Sequence, residues 1–181
     1  MSNRELTALN MLFAKWMHTN GVTRHTPFYN EHSLLDGMFV SAGTQHCYEF
    51  KERIDTPIEA HRHTTFLEKD KYEALKDGAR LFGGTGFYII KYQNAILIYD
   101  MRGIKDPVWK EMLLPTSYEN RDLKTKLVTE LSYYKADFII GTRHNIYRRS
   151  NSGQLMQHIE KVRAIIHERN NRSLKLFEER G

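Results

Sequence analysis

A chain of 181 residues, 40% hydrophobic and 27% charged, has the balance of a soluble protein and the length to bury a sizeable core. No run approaches the ~20 apolar residues of a membrane span, and the polar start Met1-Ser2-Asn3-Arg4-Glu5 lacks an apolar signal core. The lone Cys47 excludes an internal disulfide and fits a reducing compartment, so a cytoplasmic location is expected. A net charge of +5 suits a nucleic-acid binder, because neutralising phosphates releases counterions, although many basic proteins bind none.

Residues 4–18 read as a helix: Leu6, Leu9, Leu12, Phe13 and Trp16 recur at three- and four-residue steps and form one apolar face. Ser2 or Asn3 can cap it, Glu5 complements the dipole of its first turn, and Asn20-Gly21 closes it. From Gly21 to Leu35 there is little periodicity, which predicts a loop. Arg24 and Tyr29 within it are candidates for gripping a nucleic-acid strand, against the plainer reading of a surface connection.

The most informative stretch follows. Asp36 stands before the apolar run Met38-Phe39-Val40, and Cys47-Tyr48-Glu49-Phe50-Lys51 lies on the next strand. Side chains alternate along a strand, so Glu49 and Lys51 share a face and Phe50 takes the other. A two-residue loop at Ala42-Gly43 places Asp36 opposite Glu49; a loop at Gly43-Thr44 places it opposite Lys51. Either loop puts all three on one face, and an odd-length loop would not, since a one-residue slip flips every side chain. Two acids so close are costly unless a cation lies between them. Mg²⁺ fits, being a hard ion that takes one or two carboxylates and completes its shell with water and substrate phosphate. Phosphodiester hydrolysis needs a polarised phosphoryl oxygen and an activated water, and such an ion offers both. A lysine beside it can hold the water or offset the developing charge. The bland alternative is a turn aspartate followed by the solvated face of a half-buried strand.

Farther on, Pro57 and its charged neighbours end that strand. His61-Arg62-His63 has the spacing of a zinc pair, but no Cys or His-Glu-x-x-His pattern completes a ligand set. Cys47 is a conceivable thiol nucleophile with no partner base in view. Thr65 and Glu68 make a capping box for a helix running through Tyr72 and Leu75 to about Leu81, stopped by Gly83-Gly84. Gly86–Tyr92 and Ala95–Asp100 read as strands joined by Gln93-Asn94, and Asp100 reads as a turn starter or an outside candidate for a further acid. Pro107 and Pro115 punctuate a loop holding Trp109. Thr125–Tyr133 reads as helical and Phe138–Gly141 as a short strand. Arg143, Tyr147, Arg148 and Arg149 mix cations with an aromatic, a pattern suited to phosphates and base stacking, with a solvated basic end as the alternative. Residues 152–172 carry Leu155, Ile159, Val162 and Ile166 as one apolar stripe, with Lys161, Arg163, Arg169 and Arg172 away from it, and read as a basic helix. No internal repeat or linker divides the chain, so one domain over 1–181 is expected.

Asp36 followed by Glu49-Phe50-Lys51 on the next strand resembles the core motif of the PD-(D/E)XK nuclease superfamily, which includes restriction endonucleases and Holliday-junction resolvases. The resemblance covers about residues 4–100, leaving a helical extension over about 101–181; the proline that often precedes the aspartate is replaced here by the lead-in Glu31-His32-Ser33-Leu34-Leu35. It implies an α/β fold, a central mixed β-sheet flanked by helices in the restriction-endonuclease-like order α-β-β-α-β. It further implies a Mg²⁺-dependent nuclease, in which Mn²⁺ can substitute, acting on DNA, most simply as an endonuclease and compatible with a homodimer. In that reading Asp36, Glu49 and the Phe50 backbone carbonyl hold the metal. Glu5, the acid of the first helix, joins through water; Lys51 positions the attacking water; and Lys71, on the helix after the Glu-x-Lys strand, steadies the phosphate. Small stand-alone nucleases of this kind are common in phage and bacteria. Two readings compete with it: a catalytically inactive nucleic-acid-binding module on the same fold, and an unrelated α/β protein whose hairpin mimics the motif.

Overall fold

The structure, a computed structural model, describes residues 6, 7, 9, 10, 12, 13, 21–28, 33–53, 56–58, 64–115, 122–142 and 145–149, with 134, 137–142 and 145–149 described by their backbone. Residues 6, 7, 9, 10, 12 and 13 are helical and are called α1. The strands are β1 (Val22–Pro27), β2 (Gly37–Ser41), β3 (Thr44–Glu52), β4 (Thr64–Glu68), β5 (Gly86–Lys91), β6 (Ala95–Asp100), β7 (Lys110–Pro115), β8 (Leu123–Ser132), β9 (Asp137–Thr142) and β10 (Asn145–Arg149), with helix α2 (Lys69–Phe82) between β4 and β5.

Seven strands form one mixed sheet in the order β1-β2-β3-β5-β6-β9-β10, and three form a second sheet, β4-β8-β7. β3 and β5 are parallel; every other neighbouring pair of the large sheet is antiparallel. A parallel pair requires a crossover, and β4 with α2 supplies it. Within residues 6–91 the expected helix-strand-strand-helix-strand order is present, with β1 and β4 added to it.

The β2–β3 hairpin closes on Ala42-Gly43, because Ser41 pairs with Thr44. Both loop residues have positive φ, 49° and 76°. That is the geometry of a primed two-residue turn, whose twist matches the strands it joins. Of the two loops the sequence allows, this one puts Asp36 opposite Glu49, one step beyond the Gly37–Tyr48 pair.

Alternation along the central strands splits the core in two. Tyr48, Phe50, Ile89, Ile96 and Ile98 face Leu9, Leu12 and Phe13 of α1. Cys47, Tyr88, Ile90, Leu97 and Tyr99 face α2 and the small sheet through Leu67, Tyr72, Leu75 and Leu131. Strands covered on both faces read as near-continuous apolar runs, and Tyr88-Ile89-Ile90 and Ile96-Leu97-Ile98-Tyr99 do. Glu49 takes a position in the second layer that its neighbours fill with apolar groups.

Four local expectations change. The loop expected over Gly21–Leu35 contains edge strand β1, whose exposed Thr23 and Arg24 and terminal Pro27 hide it from a hydrophobic pattern. The capping box fails: Thr65 lies in β4, paired with Leu131, and the helix starts at Lys69 with no side-chain cap from Glu68. Thr125–Tyr133 is not a helix. Its Leu127, Val128 and Leu131 imitate helical spacing, but Leu123–Ser132 is the central strand of the small sheet, paired with β4 on one side and β7 on the other. The loop expected around Trp109 contains β7, an edge strand, which tolerates Pro115 at its end. α2 stops as expected: Gly83, at φ 68°, donates its N–H to the Ala79 carbonyl. The extension expected as helical over about 101–181 instead carries strands β7–β10 in its described part, where long-range ladders rather than local spacing decide the structure, and the basic segment 152–172 lies outside the described residues.

Candidate active site

Asp36 sits just before β2, held by backbone on both sides. Its N–H donates to the Tyr48 carbonyl at 3.0 Å, and its own carbonyl accepts from Phe28 N–H at 2.7 Å. Its side chain turns to the sheet, where Oδ2 accepts from Phe50 N–H at 2.8 Å. The next residue must be small. A Cβ on Gly37 would run into the Tyr48 hydroxyl and the Thr26 carbonyl oxygen.

Glu49 points from β3 toward α2 and is only 8% exposed. Lys71 Nζ lies 3.0 Å from Glu49 Oε1, and its stem reaches down from the first turn of α2. The same ammonium is 3.4 Å from the Leu34 carbonyl oxygen. Glu49 Oε2 is buried with no hydrogen-bond partner among the described residues. Lys51, two residues on and on the same face, is exposed.

The electrostatics follow from that packing. Burial pushes the Glu49 carboxyl up to about 8, the Asp36 charge adds to the push, and Lys71 and Lys51 oppose it. Burial pulls the Lys71 ammonium down, but Glu49, Asp36 and Asp70 outweigh it and hold the group above the ordinary lysine value.

Asp36, Glu49, Lys51 and Lys71 therefore converge at the end of the β2–β3 hairpin beneath α2. The Phe50 ring packs on the α1 side, as alternation predicts, while its N–H fixes Asp36. Arg24 is on β1 but not at the acids. It pairs with Val40, four residues along β2 from Asp36, a separation of about 13 Å on an extended strand. Tyr147, Arg148 and Arg149 lie on β10, the far edge of the sheet, four strand spacings of ~4.8 Å from β3. Glu5, Tyr29, Arg143, His61 and His63 lie outside the described residues.

Cys47 is a core residue. Its thiol is pushed up to about 11 by burial and packs against the Leu75 carbonyl oxygen at 3.5 Å. Asp100 starts a turn: it accepts from Arg102 N–H at 2.8 Å and pairs with the Arg102 side chain. The Leu34 carbonyl is the polar group at the site that sequence reading missed. A backbone oxygen carries no residue-type signal, and only the approach of α2 to the 33–36 segment brings it to Lys71.

The donor set suits a hard divalent cation. An orphaned buried carboxylate oxygen beside a second acid is what such an ion relieves. No group of three or more His, Cys, Asp or Glu side chains assembles among the described residues. Mg²⁺ accepts two carboxylates when water and phosphate complete its shell. Among the same residues, no helix is long and apolar enough to cross a membrane.

No protein-family model and no curated protein matches the chain. Among solved structures it is similar to Hjc, a Holliday junction resolvase from the archaeal hyperthermophile Archaeoglobus fulgidus, at 14% identity and a TM-score of 0.47, over 72% of this chain and 84% of that one.

Proposed function

We propose that the protein is a Mg²⁺-dependent nuclease that hydrolyses phosphodiester bonds of DNA, acting as an endonuclease. The observation that carries this reading is Glu49: a buried carboxylate with an orphaned oxygen, placed across a tight hairpin from Asp36 and flanked by two lysines. A structural role gains nothing from this arrangement, since burying an acid beside another acid costs stability. The resemblance of Asp36 and Glu49-Phe50-Lys51 to the nuclease motif supports the same assignment.

In this reading Asp36, Glu49 and the Phe50 carbonyl hold the metal, with Glu5 joining through water. When bound, the metal polarises a phosphoryl oxygen and makes water a stronger nucleophile at neutral pH. The chain does the rest. Phe50 N–H fixes the Asp36 carboxylate, so its orientation costs nothing when substrate arrives. Lys51, exposed at the edge of the acid pair, holds the attacking water in line with the leaving oxygen and offsets the charge that builds on phosphate. Lys71 balances Glu49 and offers phosphate a second ammonium. Arg24, Tyr29 and the Arg143, Tyr147, Arg148 and Arg149 group serve DNA contact, and a homodimer would place two such sites on one substrate.

The test is cleavage of a panel of labelled duplex, single-stranded, branched and RNA substrates in Mg²⁺, Mn²⁺, Ca²⁺ or EDTA, with Lys51→Ala beside wild type. Products from wild type alone, and only with Mg²⁺ or Mn²⁺, are expected. Metal-dependent cleavage retained by clean Lys51→Ala protein sinks the assignment. Tight, salt-sensitive binding without products moves the protein to a binding module.

A further inference from the structure

Lys71 is placed unlike a lysine that only waits for phosphate. Its side chain is 25% exposed, and its ammonium is turned into the acid pair. The oxygens around it are a carboxylate (Glu49 Oε1, 3.0 Å) and a backbone carbonyl (Leu34, 3.4 Å), with the Asp36 and Asp70 charges also acting on it. These are the donor types a hard divalent ion takes. The ammonium thus sits where it shares Glu49 with any metal that enters, and the two cations repel strongly on one carboxylate in a poorly solvated site.

We infer that the Lys71 ammonium is an internal stand-in for the metal and must leave Glu49 before a divalent ion is bound. The inference rests on reading Asp36 and Glu49 as a metal site and adds its regulation. When Glu49 is ionised, the bound Lys71 offsets part of the cost of two close acids in the metal-free protein. Its four-carbon stem is flexible enough to swing out from α2 without moving the helix. The ammonium so released needs an anion, and the phosphate of a bound nucleic acid is the natural one. Metal and nucleic acid therefore each strengthen the binding of the other, because each supplies what the other's arrival displaces. Without nucleic acid the metal binds weakly, which keeps the site from charging before substrate is present.

Two readouts independent of cleavage test this. The first is Mn²⁺ affinity, from the loss of the free-ion electron paramagnetic resonance signal, in wild type, Lys71→Met, Lys71→Arg and Glu49→Gln, across a pH series extending to the alkaline side. Lys71→Met is expected to bind Mn²⁺ at least about tenfold tighter than wild type; Lys71→Arg, which keeps the cation, stays weak; Glu49→Gln binds least. The second is the acetylation rate of the Lys71 amine in wild type, followed by peptide mass spectrometry; it should be slow without metal and rise on adding Mn²⁺. This second readout stands even if Lys71→Met fails to fold. Mn²⁺ bound equally by wild type and Lys71→Met, or bound with no change in Lys71 labelling, overturns the stand-in role and leaves the metal site intact. Mn²⁺ bound by none of the proteins overturns the metal site and the stand-in role with it.

Discussion

On the α1 side of β3, the Tyr48 hydroxyl lies 2.7 Å from His25 Nε2; on the α2 side, the very next residue, Glu49, keeps one buried oxygen with no hydrogen-bond partner among the described residues. The His25 ring stacks on Phe13 at 4.0 Å, and burial pushes its imidazole down to about 4, so it stays neutral and pairs with the tyrosine at no charge cost. Both neighbours are polar and buried, yet one is satisfied within the fold and the other is not. An interior built for stability pairs its polar groups. The unpaired acid oxygen on the α2 side lies in the candidate site, where Glu49 meets Lys71 across from Asp36.

Substitutions on the two faces should then give different kinds of loss. The largest effect belongs to the α2 face and to chemistry: Lys51→Ala should lower metal-dependent cleavage by at least about 100-fold. Its unfolding midpoint should stay near wild type, because the side chain is exposed. A parallel fall in stability would blur the contrast. On the α1 face, Phe13→Ala should cost about 3–5 kcal/mol in denaturant unfolding, since the ring is 1% exposed and touches His25, Phe39 and Tyr48.

The pH dependence of stability sharpens the comparison further. The Glu49 carboxyl is raised from 4.5 to about 8, so between those values the folded protein keeps a proton that the unfolded chain has lost. Stability should therefore fall as pH rises through that window and level off above about 8. Glu49→Gln should lack that slope, and chemical unfolding at a series of pH values measures it; an unchanged slope in Glu49→Gln would mean that another group carries the proton. Smallest of the set, Tyr48→Phe should cost about 1 kcal/mol by removing a satisfied hydrogen bond, with cleavage retained.

Much of the candidate site was legible because it depends on alternation over short distances. Asp36, Glu49 and Lys51 needed a turn of even length and strands of period two, and Ala42-Gly43 supplied the turn. Lys71 followed from the resemblance, but its grip on Glu49 did not. That contact depends on how α2 lies over β3, against Cys47 and Leu35 at Gly78. The basic residues were recognised as a type but not placed, because which edge of a sheet a strand takes is not written in the strand.

The elements readable from residue order are those whose partners are close along the chain: the β2–β3 hairpin, the β5–β6 pair, and α2 with its Gly83 stop. Their patterns are local, and each buries a face that its own neighbours define. β4 became a strand only through long-range pairing, with Thr64 held to Ser132 and Glu68 to Val128 far along the chain; β1, β7 and β8 have a partner nearby in sequence but lack a clean alternating apolar pattern. Their residues favour no structure strongly until the ladder forms, because β-propensity is largely a measure of what the strand packs against. The burial of Glu49 is of the same kind. Its place on a face follows from its position in the chain, while the loss of water that shifts its proton and leaves its oxygen unpartnered follows from the docking of α2 and the small sheet over it.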